Sequence, residues 1–313
     1  MKHIFYSLVL ILLFFSMSSC WKDDVLLEDG KSGDDVSTSL SLIQDNTPHT
    51  FNYGELPTLA DKPIKVHYLL PSAGDVSRMP ILFIFPGESR DADIHLEYFS
   101  SWAKKNRVMI FAFEFPVAYY PSTTEYILGG INKSQSNVGI LAKASWNFNY
   151  VEAIFDAVKL LTKSIQTSYD MWGHSAGGQF VHRFCTFMET THVNRAVAAN
   201  SGWYTLPDAK ESFPYGYKEI TDVKWNKQLP RLLARNFYVQ LGGNDTSTSG
   251  LNNKEGSVAQ GSNRLERGKF YYTTSQSIAK NNGVSFNWKL SIVSGVGHEP
   301  EKMAKAAMEI FTY

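Results

Sequence analysis

The fold of this protein is decided by residues 169–178, which read Tyr-Asp-Met-Trp-Gly-His-Ser-Ala-Gly-Gly. Residues 169–173 are typical of a short buried strand, and residues 176–188 have the pattern of a helix. The turn between them reads G-x-S-x-G, with Ser175 at its centre. So sharp a turn needs glycine on both sides, because a β-carbon there would collide with the neighbouring strand and helix. The turn would lift the Ser175 hydroxyl above the sheet edge, where the N-terminus of the helix directs backbone N–H groups.

Strand and helix patterns alternate on both sides of this stretch. Strands are predicted at 65–70, 81–85, 108–115, 195–199, 237–241 and 288–293, and helices at 94–106, 147–164, about 270–282 and 301–311. This alternation predicts the α/β class, with a mostly parallel central sheet and helices on both faces. Such sheets carry their chemistry at the carboxyl ends of the strands. Long irregular stretches at 118–145, 203–229 and 246–268 are expected to lie over that edge.

Ser175 alone is a weak nucleophile, so it needs a base to take its proton and a carboxylate to orient that base. The sequence contains eight histidines. His298 lies in the loop just past the last predicted strand, in Ser-Gly-Val-Gly-His-Glu-Pro at 294–300. Glycines on both sides of Val296 suit a loop that bends back over the sheet. We therefore predict that His298 is the base.

Two aspartates are candidates for the carboxylate. Asp245 ends Gly-Gly-Asn-Asp at 242–245, just past the strand predicted at 237–241, which gives the chain order serine, aspartate, histidine. Asp245 is the prediction, although Asn-Asp pairs also favour ordinary turns. Asp208, one strand earlier in the chain, is the alternative.

A tetrahedral intermediate also needs two fixed hydrogen-bond donors for its oxyanion. The backbone N–H of Ala176 follows the nucleophile directly and is the first candidate. The second is expected from the loop after 81–85, which begins Pro-Gly-Glu-Ser at residue 86. The N–H of Glu88 is the prediction, and that of Ser89 is an alternative that the sequence does not separate from it.

The N-terminal segment predicts export. A positive start, an apolar run over 4–15 and small residues before Cys20 are typical of a secretory signal peptide over 1–19. Ser-Ser-Cys at 18–20 resembles the lipobox of bacterial lipoproteins, which predicts acylation of Cys20. Residues 20–48 are rich in Asp, Ser, Gly and Thr and read as a tether, which leaves 49–313 as the catalytic domain. We expect a lipoprotein of the outer membrane or cell surface, with a periplasmic or secreted protein as the alternative.

Composition excludes several classes of protein. Thirty Lys and Arg balance thirty Asp and Glu, so a basic nucleic-acid-binding surface is not expected. With 43% hydrophobic residues the chain is not intrinsically disordered. Contact with a membrane is expected only through the lipid on Cys20. The other cysteine, Cys185, lies in a predicted helix and is expected to be a small buried residue.

The Gly-His-Ser-Ala-Gly-Gly turn, the strand ending in an acid and the late G-x-G-H at 295–298 resemble the α/β-hydrolase superfamily over about 64–313. Within it, the chain most resembles secreted esterases of the polyhydroxybutyrate depolymerase and feruloyl esterase kind. The resemblance implies the α/β-hydrolase fold and hydrolysis of carboxylic esters through an acyl-enzyme, with no metal or cofactor. One departure is Pro-Gly at 86–87, where those relatives usually carry His-Gly.

The expected substrate is an ester, polymeric or linked to a glycan. The alternatives are a serine peptidase of the same fold and a non-catalytic glycan-binding surface lipoprotein. Arg264 and Arg267 lie in the irregular stretch after Asp245, and they either clamp a negative or polar group or face solvent. Several aromatic residues either line a substrate cleft or cover the core; they are Tyr119, Tyr120, Trp146, Trp203 and Tyr204.

Overall fold

The computed structural model describes residues 41–132 and 139–313. The predicted signal peptide, Cys20 and most of the predicted tether lie outside the described residues, so their roles remain predictions. In the described part of the chain, no helix combines the length and the apolar character needed to cross a membrane.

A single sheet runs through the described residues. Its eight strands follow the order β1-β2-β4-β3-β5-β6-β7-β8. β2 pairs antiparallel with both β1 and β4, and all other neighbours are parallel. The strands are β1 (Pro48–Tyr53), β2 (Ile64–Leu69), β3 (Ile81–Phe85), β4 (Met109–Glu114), β5 (Tyr169–His174), β6 (Val193–Ala199), β7 (Asn236–Gly242) and β8 (Lys289–Val293). The α/β class and the mostly parallel sheet are therefore confirmed.

Helices cover both faces of this sheet, which is why β3 is apolar and buried at every position rather than alternating. Phe83 and Phe85 point into one core layer, while Leu82 and Ile84 point into the other. The helices of the described part are α1 (Ala92–Asn106), α2 (Thr123–Tyr126), α3 (Asn149–Thr162), α4 (Ala176–Phe187), α5 (Trp225–Leu233), α6 (Glu255–Val258), α7 (Arg264–Asn281) and α8 (Pro300–Met308). α1 and α8 bury their residues in the second layer, and α3 and α4 in the first.

The register brings the carboxyl ends of the central strands to one edge. Phe85 pairs with Gly173, His174 with Ala199, and Gly242 with Val293. The loops that follow β3, β5, β7 and β8 therefore start side by side. Cys185 is fully buried in α4, and burial raises the pKa of its thiol to about 11.

The short helices α2 and α6 lie in stretches expected to be irregular. Three longer elements also differ from the sequence-based expectation. β1 is an edge strand with a polar outer half, so its pattern is weak. α5 contains Pro230, which normally argues against a helix interior. α7 begins at Arg264 instead of near 270, because Asn263 caps it by accepting a hydrogen bond from the Glu266 N–H at 2.9 Å. Arg264 and Arg267 therefore belong to a helix and not to a loop.

Candidate active site

The turn between β5 and α4 holds Ser175 in an uncommon backbone conformation. Its φ is 56° and its ψ is −112°, and its N–H donates to the Ala199 carbonyl oxygen at 2.9 Å. A β-carbon on Gly173 would run into the backbone of Gly177, and one on Gly177 would run into the Phe85 carbonyl of β3. The expected need for glycine at both flanks is thus explained by two specific backbone approaches.

The structure brings Ser175 together with two distant side chains. His298 Nε2 lies 3.0 Å from Ser175 Oγ, and His298 Nδ1 lies 2.7 Å from Asp245 Oδ2. Asp245 is only 2% exposed, whereas the His298 side chain is 34% exposed. A neutral imidazole that donates its Nδ1 proton to the carboxylate leaves Nε2 free to accept the serine proton.

The alternative acid, Asp208, is elsewhere. Its Oδ1 accepts a hydrogen bond from the Lys210 N–H at 2.8 Å, which is a local turn contact. Asp245, in contrast, follows β7 and sits on the edge at which Ser175 and His298 also arrive. Between the two aspartates, the geometry favours Asp245 as the partner of His298.

Asn200 connects the loops of the site, and sequence analysis missed it. Its Nδ2 donates to the Gly297 carbonyl at 2.9 Å, and its Oδ1 accepts from the Gly242 N–H at 2.7 Å. It is fully buried, with φ at 46°, in the left-handed region that asparagine tolerates. The side chain therefore joins the end of β6 to the Asp245 loop and to the residue before His298. The sequence feature that could have identified Asn200 is its position directly after a predicted buried strand.

His174 packs behind the candidate base. Its ring centroid lies 4.6 Å from that of His298. Burial lowers the pKa of His174 well below its usual range, and the neighbouring His298 acts in the same direction. His174 therefore presents a neutral ring to His298.

A cleft of about 560 Å³ opens beside Ser175. Ala176 and Glu88, the two predicted oxyanion donors, both line it, whereas Ser89 is not one of its described lining residues. The structure thus places Ala176 and Glu88 on the same cleft as Ser175, and their role as oxyanion donors stays a prediction.

Of the aromatic residues singled out from the sequence, only Trp203 lines this cleft within the described part of the chain. Tyr204 is fully buried and stacks on Tyr271 at 4.4 Å between centroids. Tyr120 and Trp146 are also fully buried, and Tyr119 is 42% exposed. Four of the five rings therefore do not line the cleft, because they cover the core or face solvent.

The two arginines of α7 differ from each other. Arg264 is 9% exposed and lines the cleft. Arg267 is 1% exposed and donates to the carbonyl oxygens of Gly261, Gly202 and Asn252 at 2.8–3.0 Å. Neither arginine lies on a solvated face, and Arg267 ties down the backbone of two loops.

No cluster suited to a metal is found among residues 41–132 and 139–313, where no three or more His, Cys, Asp or Glu side chains come together as ligands.

Comparison with known proteins supports the assignment of the fold. No family model matches this chain, and no curated protein matches it in sequence. Solved structures do match. Poly(aspartic acid) hydrolase-1 from Sphingomonas sp. KT-1 is 32% identical, with a TM-score of 0.78 over 84% of this chain and 97% of that chain. A poly(3-hydroxybutyrate) depolymerase from Bordetella parapertussis is 26% identical, with a TM-score of 0.79 over 84% of this chain and 88% of that chain.

A third match, an S-formylglutathione hydrolase from Agrobacterium tumefaciens, shares the fold alone, at 12% identity and a TM-score of 0.57 over 87% of this chain and 97% of that chain. The extent of the first two matches agrees with the mostly parallel sheet described above. The chain belongs to the α/β-hydrolase superfamily of serine hydrolases.

Proposed function

We propose that this protein hydrolyses carboxylic esters through an acyl-enzyme, with Ser175 as nucleophile, His298 as general base and Asp245 as its carboxylate partner. The observation that carries the proposal is the continuous contact from Asp245 through His298 to Ser175, at 2.7 and 3.0 Å. Each distance lies within hydrogen-bond reach, as proton transfer requires.

Acylation follows from this geometry. His298 Nε2 takes the Ser175 proton while Oγ attacks the ester carbonyl carbon, and the carbonyl electron pair moves to the oxygen. The backbone N–H groups of Ala176 and Glu88 stabilise that oxyanion, and buried Asp245 stabilises the imidazolium. When the oxyanion collapses, the bond to the alcohol oxygen breaks, and His298 gives its proton to the leaving alcohol.

Deacylation repeats the same steps with water. His298 removes a proton from water, the hydroxide attacks the acyl-enzyme carbonyl, and the second oxyanion occupies the same two donors. Its collapse breaks the bond to Ser175 Oγ, which regains a proton from His298, and the carboxylic acid leaves.

The substrate proposed for this site is an extracellular polymer or an acylated glycan. The cleft lies beside Ser175, and Trp203 is one of its lining residues. Two similar proteins are named for polymers, a poly(aspartic acid) hydrolase and a poly(3-hydroxybutyrate) depolymerase. Because poly(aspartic acid) is joined by amide bonds, its hydrolase at 32% identity favours amide cleavage as the second candidate activity.

The test uses a fluorophosphonate probe and two substrate types. Labelling is expected in the wild type and in Ser122→Ala, a control that changes another serine of the cleft, and is expected to vanish in Ser175→Ala. Hydrolysis of p-nitrophenyl acetate without cleavage of oligo(aspartic acid) supports the esterase, and the reverse supports the amidase. Absence of labelling in the wild type would favour the glycan-binding alternative.

The cellular location is part of the proposal and rests on the N-terminal sequence. We infer that the chain is exported and anchored through a lipid on Cys20. Expression in a bacterium with labelled palmitate should mark the wild type and leave Cys20→Ala unmarked. Equal labelling of both proteins would contradict the anchor and leave the hydrolase assignment untouched.

A further inference from the structure

Arg264 differs from the other buried arginines in having no hydrogen-bond partner within the described part of the chain. Four others each donate to carbonyl oxygens or to side chains; they are Arg90, Arg183, Arg195 and Arg267. Among residues 41–132 and 139–313, Arg264 makes no such bond, and its Nε is buried without a partner. A guanidinium keeps its charge at all ordinary pH values, so leaving its donors unused in a buried position is costly.

The nearest carboxylate does not satisfy Arg264. Arg264 Nη1 lies 3.6 Å from Asp245 Oδ1, which is beyond hydrogen-bond distance, and that oxygen has no other partner in residues 41–132 and 139–313. Asp245 uses its second oxygen for His298. The Arg264 guanidinium therefore places a positive charge beside Asp245 without forming a bidentate contact with its carboxylate, although a guanidinium is shaped for such a contact.

The cleft collects positive charge although the whole chain is neutral. Its described lining residues include three cationic side chains, Arg90, Lys254 and Arg264, against one acidic side chain, Glu88. Arg90 donates its Nη1 hydrogens to the backbone carbonyls of Phe115 and Tyr120, at 2.8 and 3.3 Å. Lys254 is exposed. Of the three lining cations, Arg264 is thus the one that is buried and has no hydrogen-bond partner in the described part of the chain.

We propose that Arg264 determines specificity by binding a carboxylate of the substrate beside the scissile bond. The enzyme would then prefer esters, or amides, whose acyl part carries a second, ionised carboxyl group. This inference rests on the proposed function, because it names the substrate class of that same site. Arg264 and Ser175 line one cleft, so the carboxylate and the scissile carbonyl belong to one small molecule or one repeat unit.

The test compares two ethyl esters of matched shape, monoethyl glutarate and ethyl 5-methylhexanoate, in which an isopropyl group replaces the carboxylate. Proton release in a pH-stat gives kcat/KM for each. In the wild type we expect the glutarate ester to be favoured, and in Arg264→Met we expect that preference to fall roughly 10- to 100-fold, as for the loss of a charged hydrogen bond. Arg264→Lys should fall in between, because it keeps the charge and loses the planar fork.

Lys254→Met is the matched control, since it removes an exposed cation of the same cleft. In Lys254→Met, the preference for the glutarate ester should differ from that of the wild type by less than about threefold. If Arg264→Met slows both esters by the same factor, Arg264 acts only on Asp245, and the specificity proposal is wrong. An unchanged preference in Arg264→Met, or no preference in the wild type, also overturns it.

A second readout does not depend on turnover. Glutarate should slow fluorophosphonate labelling of wild-type Ser175 at a concentration at least about tenfold lower than in Arg264→Met or Arg264→Gln. Circular dichroism shows whether each variant is folded. Labelling that glutarate leaves unaffected in the wild type refutes the carboxylate site, whereas absence of labelling refutes the proposed function itself.

Discussion

Asn200→Ala tests how the loops around Ser175 are held together. The Asn200 side chain bonds both to the last residue of β7, through the Gly242 N–H, and to the loop after β8, through the Gly297 carbonyl. Removing its amide leaves the buried Gly242 N–H without an acceptor, which costs about 1–3 kcal/mol. Alanine at a φ of 46° adds about 1 kcal/mol. We expect a loss of about 2–4 kcal/mol in the free energy of unfolding.

Asn200→Ala should also lower the rate of the reaction. Gly297 precedes His298, so a loosened loop displaces the imidazole from Ser175, and a displacement of about 1 Å can cost about 100-fold. We expect kcat for a p-nitrophenyl ester to fall about 10- to 100-fold with KM little changed, because the cleft walls are intact. Asn200→Gly isolates the hydrogen bonds, since glycine carries no penalty in this backbone conformation.

Urea denaturation followed by tryptophan fluorescence gives the unfolding free energy, and steady-state kinetics give kcat. Asn106→Ala is the control, because that exposed side chain bonds only locally to the Trp102 carbonyl, and it should cost less than about 0.5 kcal/mol. If Asn200→Ala matches this control in stability and the wild type in kcat, the reasoning on the loop connection fails.

Three other changes test the acid assignment, the glycine turn and a buried histidine of α4. Asp245→Asn should lower kcat roughly 10³- to 10⁴-fold while Asp208→Asn leaves it nearly unchanged, and the opposite ranking would move the acid to Asp208. Gly177→Ala should cost about 3 kcal/mol or more in thermal unfolding, because its β-carbon meets backbone of β3, whereas Gly54→Ala meets ordinary contacts and serves as control. Burial lowers the pKa of His182 well below its usual range, so the unfolded state binds its proton first. Stability from this group is therefore present above about pH 6.5 and is lost as pH falls below it. His182→Gln should reduce the pH dependence of the urea midpoint between pH 7.5 and 5.5, and an unchanged slope would count against a buried neutral imidazole.

Much of the architecture is readable from local signals. A short apolar run such as Ile81–Phe85 favours a strand covered on both faces, and glycines around a serine favour a tight turn. These signals act within a few residues, so alternation and turn chemistry are enough to predict a mostly parallel sheet. The edge strand β1 and the proline-containing helix α5 were not predicted, because their stability comes from neighbouring elements and not from their own sequence pattern.

The candidate site, unlike the architecture, depends on contacts between residues that are far apart in the chain. The order of the motifs along the chain predicts a triad of Ser175, Asp245 and His298. The structure places these three side chains in contact. Their catalytic roles remain predictions to be tested. Asn200 carried no sequence signal beyond its place after a strand, since its two partners are 42 and 97 residues away.

The sequence by itself determined the class of fold, the turn that presents Ser175 and a short list of candidate partners, because periodicity and glycine sterics are local. Only the tertiary structure distinguished Asp245 from Asp208, Trp203 from Tyr204 and Arg264 from Arg267. Arg264 and Arg267 lie three residues apart on one helix, yet three backbone carbonyls surround Arg267 and Arg264 has no hydrogen-bond partner among the described residues. Hydrogen-bond partners come from segments remote in the chain, so folding decides which of two identical side chains is held by backbone and which faces the cleft.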